Sequence, residues 1–181
     1  LLQQLLVAHP ALPAKSLSEL VAIAKAKPGT INYGSYGSGS QPHLAGELLK
    51  AAAGINLVHV PYKGLPLAVA AVLAGEIELT FAGIASSRPL IEAARLRALA
   101  IGGTQRATQL PAVPTFAELG FPDVETHAWF GLFAPMGTAP EIVETLHRDI
   151  RRILEDTRFR DSEVIGKGYD LVGSTPTAFA A

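Results

Sequence analysis

The sequence predicts an α/β fold built around a mostly parallel sheet, and three observations lead to that class. Short apolar runs (Ile31 to Gly34, Leu57 to Val60, Ile77 to Ala82 and Leu96 to Ile101) alternate with longer helix-period stretches. The runs are short and lack a polar alternate face, as expected of buried parallel strands. Readable helix starts follow them, so each strand feeds a helix through a loop, the signature of βα units.

Taken in order, Leu1 to Val7 reads as the middle of a strand. Ser16 with Glu19 forms a capping box for a helix through about Lys27, which Pro28-Gly29 ends. Ser40 stands where it can cap a helix from Gln41 to about Ala53, with Leu44, Leu48 and Leu49 on its apolar face and Gly54 as the left-handed stop. Gly64 precedes a third helix that ends at Gly75. Val124 to Ala134 carries Trp129, Phe130 and Phe133, and reads as a long strand stopped by Pro135. Thr138 with Glu141 predicts a second capping box, with Pro140 in the first turn and a helix to about Glu155. Thr175-Pro176 looks like one more helix start, so the C-terminus reads as cut short.

The composition excludes several classes. The chain has 181 residues, 49% apolar and 17% charged, with a formal charge of -1, so it is an ordinary globular chain of one domain or two small lobes. Scattered Lys and Arg give no footprint for nucleic acid. Cysteine is absent, which rules out disulfides and thiolate metal sites and leaves the redox compartment unread. No apolar run reaches the roughly 18 to 20 residues a membrane span needs. His9, His43, His59, His127 and His147 show no metal-ligand spacing, so no metal and no cofactor is expected. The chain starts at Leu1 inside a strand pattern, and an upstream segment is expected.

Three loops carry the candidate chemistry. In Asn32 to His43 a strand passes through Ser35-Tyr36-Gly37-Ser38-Gly39-Ser40 straight into a helix. Glycines let backbone N–H groups turn inward, the helix start adds a positive dipole end, and hydroxyls add donors, which together suit an anion. The same residues also fit a plain loop whose serines cap the helix. The dinucleotide fingerprint fails because Gly37-Ser38-Gly39 lacks its third glycine, and no serine sits in a G-x-S-x-G elbow. His43, in the first turn, is expected to be neutral there; it reads either as satisfied by its surroundings or as a ligand contact. Pro61-Tyr62-Lys63-Gly64 repeats the design, and Lys63 adds charge to a helix start, which makes sense beside an anion and is equally an exposed turn lysine. The strand run ending at Ala82 leads through Gly83 to Ser86 into a third such start. All three loops are expected at the carboxyl edge of one sheet. Acidic residues are sparse in them, which argues against hydrolase machinery and for binding. Trp129 and Phe130 suit either a ligand wall or the core.

The residues resemble a family, the extracytoplasmic solute receptors of tripartite tricarboxylate transporters, also called Bug proteins. The words that carry the resemblance are Ala24-Lys25-Ala26-Lys27-Pro28-Gly29, Tyr33-Gly34-Ser35 through His43-Leu44-Ala45-Gly46-Glu47, and Val58-His59-Val60-Pro61-Tyr62-Lys63-Gly64. Leu96 to Ala100, Leu110 to Thr115, Trp129 to Leu132 and Ala134 to Thr138 continue it in order. The resemblance implies a periplasmic-binding-protein fold of the second type, two lobes joined by crossing hinge strands with a ligand closed between them. It implies a periplasmic protein that captures a small organic carboxylate, hands it to membrane transporter subunits, and does no chemistry on it. The implied grip is Ser35, Tyr36, Gly37, Ser38, Gly39, Ser40 and His43, then Tyr62, Lys63 and Gly64, then Ala82, Gly83 and Ser86. Residues 9–125 are expected to form the second, ligand-binding lobe, and 1–8 with 126–181 part of the first. Two departures stand out: many relatives carry an Asp where Ala82 follows Phe81, and much of the first lobe is missing. Two further readings are a ligand-sensing regulatory domain of the same fold and a hydrolase using Ser38 or Ser40 with His43. A third is a truncated relative that binds nothing.

Overall fold

The computed structural model describes residues 2–124 and 126–180. The chain divides into two compact units, one of Gln3–Ala128 and one of Leu1–Leu2 with Trp129–Ala181.

The larger unit holds a sheet of strands β1 (Leu2–Ala8), β2 (Asn32–Ser35), β3 (Val58–Pro61), β4 (Leu79–Gly83), β5 (Arg97–Ile101) and β6 (His127–Ala128). Their order is β3-β2-β4-β1-β5, with β6 also pairing to β1. β2 runs parallel to both β3 and β4, whereas β1 is antiparallel to β4 and to β5. β5 therefore points the same way as β2, β3 and β4, and the sheet is mostly parallel with one reversed strand near its centre.

Helices α1 (Leu17–Ala26), α2 (Gln41–Ala53), α3 (Leu65–Ala74) and α4 (Ile84–Glu92) cover both faces. Leu17, Leu20 and Ala24 of α1 and Ala45, Leu49 and Ala53 of α2 share one apolar cluster with Leu6, Tyr33, Leu79 and Phe81. Ala71 and Val72 of α3 and Ile84 of α4 share the other with Leu5, Val7 and Ala82. Successive β1 residues thus enter opposite clusters, which is why its apolar run is continuous. β3 departs from the buried-strand expectation: as the sheet's edge it leaves Val58 exposed.

Local signals hold in part. Ser16 Oγ accepts from the Glu19 N–H at 3.2 Å, but Glu19 reaches back to the Lys15 N–H at 2.7 Å, one residue before the cap. α2 stops at Gly54 in the left-handed region (φ 61°). Its buried stripe is not the leucines: Leu44 and Leu48 are exposed, while Pro42, Ala45, Gly46, Leu49 and Ala53 face the sheet. The reason is Tyr33, whose ring lies so close under the helix that a Cβ on Gly46 would fall 2.2 Å from Cε2. Small residues let the helix settle on that ring.

In the smaller unit, α5 (Pro140–Glu155) has Ala139 rather than Thr138 at its N-cap, and the Thr138 hydroxyl donates to the Pro135 carbonyl at 2.8 Å, so no second capping box forms. The long aromatic strand shrinks to His127–Ala128, because residues 129–134 find no partner strand among the described residues. Trp129 and Phe133 instead pack with Phe179, and a short helix, Pro176–Ala180, does follow Thr175.

Candidate functional site

Parallel β3, β2 and β4 are immediate neighbours, so the loops leaving their carboxyl ends stand side by side. The Tyr62 N–H donates to the Ser35 carbonyl at 2.8 Å and ties the second loop to the first. The buried Thr80 hydroxyl donates to the Gly34 carbonyl at 3.0 Å, fixing β4 against β2 just below. At this edge Gly83 pairs with Gln4 of β1. Gln4 is buried and its Oε1 has no hydrogen-bond partner among the described residues.

Each loop feeds a helix whose N-cap residue makes no side-chain cap hydrogen bond. Ser40, Gly64 and Gly83 occupy the N-cap positions of α2, α3 and α4, and none supplies a cap hydrogen bond. No acidic residue sits in any of the three first turns. Three helix N-termini therefore bring their positive dipole ends to one edge with no acidic side chain of their own in the first turn, and at α2 the Gln41 backbone meets the Tyr36 hydroxyl. Gly64 takes φ 147°, a backbone shape that favours glycine, and Lys63 beside it is exposed.

The first loop is organised from within. Ser35 is fully buried; its Oγ accepts from the Gly37 N–H at 3.0 Å, lies 3.0 Å from the Gly37 carbonyl, and is 2.6 Å from Nε2 of His59 on β3. The Ser40 hydroxyl donates to the Gly37 carbonyl at 2.5 Å. His43 Nδ1 accepts from the Gly39 N–H at 3.1 Å. Tyr36, Ser38 and Gly39 are exposed, and Gly37 and Gly39 have positive φ (130° and 78°) with open space around them. Ser35 and Ser40 thus shape the loop, while Ser38 and the outward backbone remain available.

Beneath the loop lies a polar stack. The rings of His43 and His59 are 4.2 Å apart, and that of Tyr33 is 5.1 Å from His59. The Tyr33 hydroxyl donates to Glu47 Oε1 at 2.8 Å, and Lys50 donates to the same oxygen at 2.8 Å. Lys50 holds the Glu47 carboxyl below its ordinary value, and burial, aided by Glu47, pushes the Tyr33 phenol far up. Burial, then the neighbouring His43, pushes the His59 imidazole down. Burial likewise raises Tyr36 and Tyr62, the Gln41 backbone opposing it at Tyr36.

All thirteen expected grip residues belong to the larger unit, and the three loops that hold them share one edge. Ala82 is fully buried in the apolar cluster under α3 and α4. Ser86 hydrogen-bonds to the Gly83 carbonyl at 3.0 Å and borders an apolar groove of about 300 Å³ lined by Leu65, Pro66, Val69, Ala70 and Leu73 of α3. Sequence reasoning missed His59 and Tyr33 as supports of the loop. Their signal was in register: His59 pairs with Tyr33 across parallel strands, so both side chains rise on the α2 face. No serine is hydrogen-bonded to His43 among the described residues, as the hydrolase reading would need.

The site thus consists of glycine- and serine-rich loops along one carboxyl edge of a mostly parallel α/β sheet, with no acidic residue in the three helix starts they feed. The chain belongs to the tripartite tricarboxylate transporter receptor family, whose model matches residues 2–171. It is 37% identical over 171 residues to protein BugT of Bordetella pertussis, covering 94% of this chain and 51% of that protein. It is similar to solved structures of Rhodopseudomonas palustris: Rpa4515 with adipate (TM-score 0.90, 32% identity, 99% of this chain and 60% of that one) and MatC with bound malate (0.80, 30%, 88% and 54%). The chain thus spans about half the length of the curated relatives it matches. Among the described residues no helix is long and apolar enough to cross a membrane.

Proposed function

We propose that the protein is a periplasmic receptor that captures a small organic carboxylate for a tripartite tricarboxylate transporter and passes it on unchanged to the membrane subunits. One observation carries this reading: three helix starts with no acidic residue in the first turn and no cap bond from the N-cap side chain follow neighbouring parallel strands at one sheet edge, the first two loops joined by the Tyr62–Ser35 hydrogen bond. Such an arrangement attracts an anion with fixed backbone dipoles and needs no metal. The adipate and malate named with two similar structures support a carboxylate as the anion.

The grip runs through the amides of Tyr36 and Ser38, the Ser38 hydroxyl, and Tyr62, Lys63 and Gly64, with Gly83 and Ser86 at the third loop, while the Gly37 and Gly39 amides are held within the first loop by Ser35 and His43. Ser35, Ser40 and His43 shape the first loop, and Ala82 seats the third. Residues 9–125 are read as the ligand-binding lobe and 1–8 with 126–181 as part of the other, with residues 3–8 and 126–128 packing within the larger unit.

A thermal-shift screen against a carboxylate library tests the reading, since a ligand that binds only the folded chain raises its melting temperature by mass action. Calorimetry should then give one ligand per chain, recovered chemically intact. No shift with any carboxylate, or consumption of the ligand, refutes it.

A further inference from the structure

We propose that His43 and His59 are positioning residues: two neutral imidazoles that hold the Ser35–Ser40 loop in its binding shape, so that added protons loosen the loop and release the ligand. The inference rests on the reading of this edge as a carboxylate site.

The hydrogen-bond geometry fixes the first imidazole. A backbone N–H only donates, so the Gly39 N–H at 3.1 Å requires a lone pair on His43 Nδ1. His43 is therefore neutral, with its proton on Nε2. A second proton would set N–H against N–H and expel Gly39 from its place. It would also put a cation in the first turn of α2, at the positive end of the helix.

The second imidazole holds the root of the same loop. Ser35 has one hydroxyl proton, and His59 Nε2 lies 2.6 Å from its oxygen. Either Nε2–H donates to Oγ while the hydroxyl proton goes to the Gly37 carbonyl, or the hydroxyl donates to Nε2 and Ser40 alone serves Gly37. A neutral ring satisfies both arrangements, and the second cannot survive a further proton. The two rings are 4.2 Å apart, so two cations there would repel.

The surrounding charges pull both ways at His59: the Glu47 carboxylate favours its protonated form, while burial, His43 and Lys50 favour the neutral one and prevail. From α2 the facing groups are Glu47 and Lys50, and from β2 Tyr33. Glu47 already accepts from Lys50 and Tyr33, and no hydrogen bond links it to either imidazole among the described residues. The lowered affinity of His59 for protons, set by burial and by His43, agrees with the neutral stack.

The sign of the pH effect separates this role from ligand contact. An imidazolium gripping a carboxylate would bind more tightly in acid, whereas a neutral brace makes binding weaker. The test has two arms. NMR of the ligand-free protein from about pH 7.5 to about pH 5.5 should show the Gly37 and Gly39 amides moving with imidazole protonation. In His43→Asn, whose side-chain oxygen replaces Nδ1 without titrating, Gly39 should stay still. Calorimetry with malate should show affinity falling several-fold from about pH 7.5 to about pH 6, and flat in His43→Asn. His59→Gln, which keeps a polar atom near Ser35, should retain neutral-pH affinity that His59→Ala loses. Tighter malate binding in acid, or glycine amides that ignore pH, overturns the proposal. If malate fails to bind at any pH, the carboxylate reading suffers, while the NMR arm still decides the brace.

Discussion

Gly46→Ala tests the packing that sets the candidate site, because α2 carries both the helix start and His43. In an exposed helix the change would stabilise, since Ala is favoured over Gly by about 1 kcal/mol. Here the new methyl would lie 2.2, 2.5 and 2.9 Å from Cε2, Cζ and Cδ2 of Tyr33. Contacts that short require something to move. The ring is fully buried and its hydroxyl is bonded to Glu47, so it has little room to swing, and the helix must lift. Overpacking of this kind costs about 1–3 kcal/mol, and contact with three ring atoms places the cost near the top. Less the propensity gain, the variant should lose about 2 kcal/mol. In a protein of this size that lowers the melting temperature by about 4–8 °C. Circular dichroism followed through a urea titration and a thermal scan measures it. Tyr33→Leu in the same background should recover part of the loss, because the atoms in conflict are removed. A Gly46→Ala protein as stable as the parent, or more so, would mean that helix propensity alone governs the site and would refute close packing of α2 on Tyr33.

Other expectations follow from the same contacts. Lys63→Ala and Ser38→Ala should each weaken carboxylate binding by about 1–3 kcal/mol in calorimetry while leaving the melting temperature of the free protein unchanged, as both side chains are exposed. Arg97 donates to the Leu12 and Ala14 carbonyls at 3.1 and 2.9 Å, so Arg97→Ala should cost about 1.5–3 kcal/mol in urea unfolding and free the 9–14 segment to early proteolysis. Glu47 has a lowered carboxyl in the folded chain, mainly through Lys50, so its contribution is complete above the ordinary glutamate range and is lost as pH falls through the folded value. Because the pair is partly solvated, that contribution should be below about 1 kcal/mol, and Glu47→Gln should flatten the urea midpoint between about pH 3 and pH 6 by that amount. Tyr33, whose phenol burial raises furthest, should ionise after Tyr36 and Tyr62 in an ultraviolet titration; ionisation of Tyr33 ahead of them would count against its burial beside Glu47.

The order of strands and helices was legible because it depends on local patterns. Apolar runs of four to six residues, the Ser16 cap and the stops at Gly54 and Gly75 are properties of neighbouring residues, and they marked the same elements the fold contains. The three loop-to-helix junctions were visible for the same reason. What misled were signals that need a partner elsewhere. Thr138 could cap a helix, yet its hydroxyl met the nearer Pro135 carbonyl; Trp129 to Ala134 had strand-like residues but no neighbouring strand to pair with. Leu44 and Leu48 have helical spacing, but the side that faces the sheet was chosen by the bulk of Tyr33.

By itself the sequence determined that βα units carry glycine- and serine-rich loops with few acids, because turn chemistry and helix capping act within a few residues. Only the tertiary structure decided that β3, β2 and β4 lie side by side with β1 reversed beyond them, which brings the loops from residues 35, 62 and 83 to one edge. It also decided that His59, from another strand, supports Ser35. Contacts between residues tens of positions apart depend on how the whole chain packs, and no local pattern encodes the distance between them.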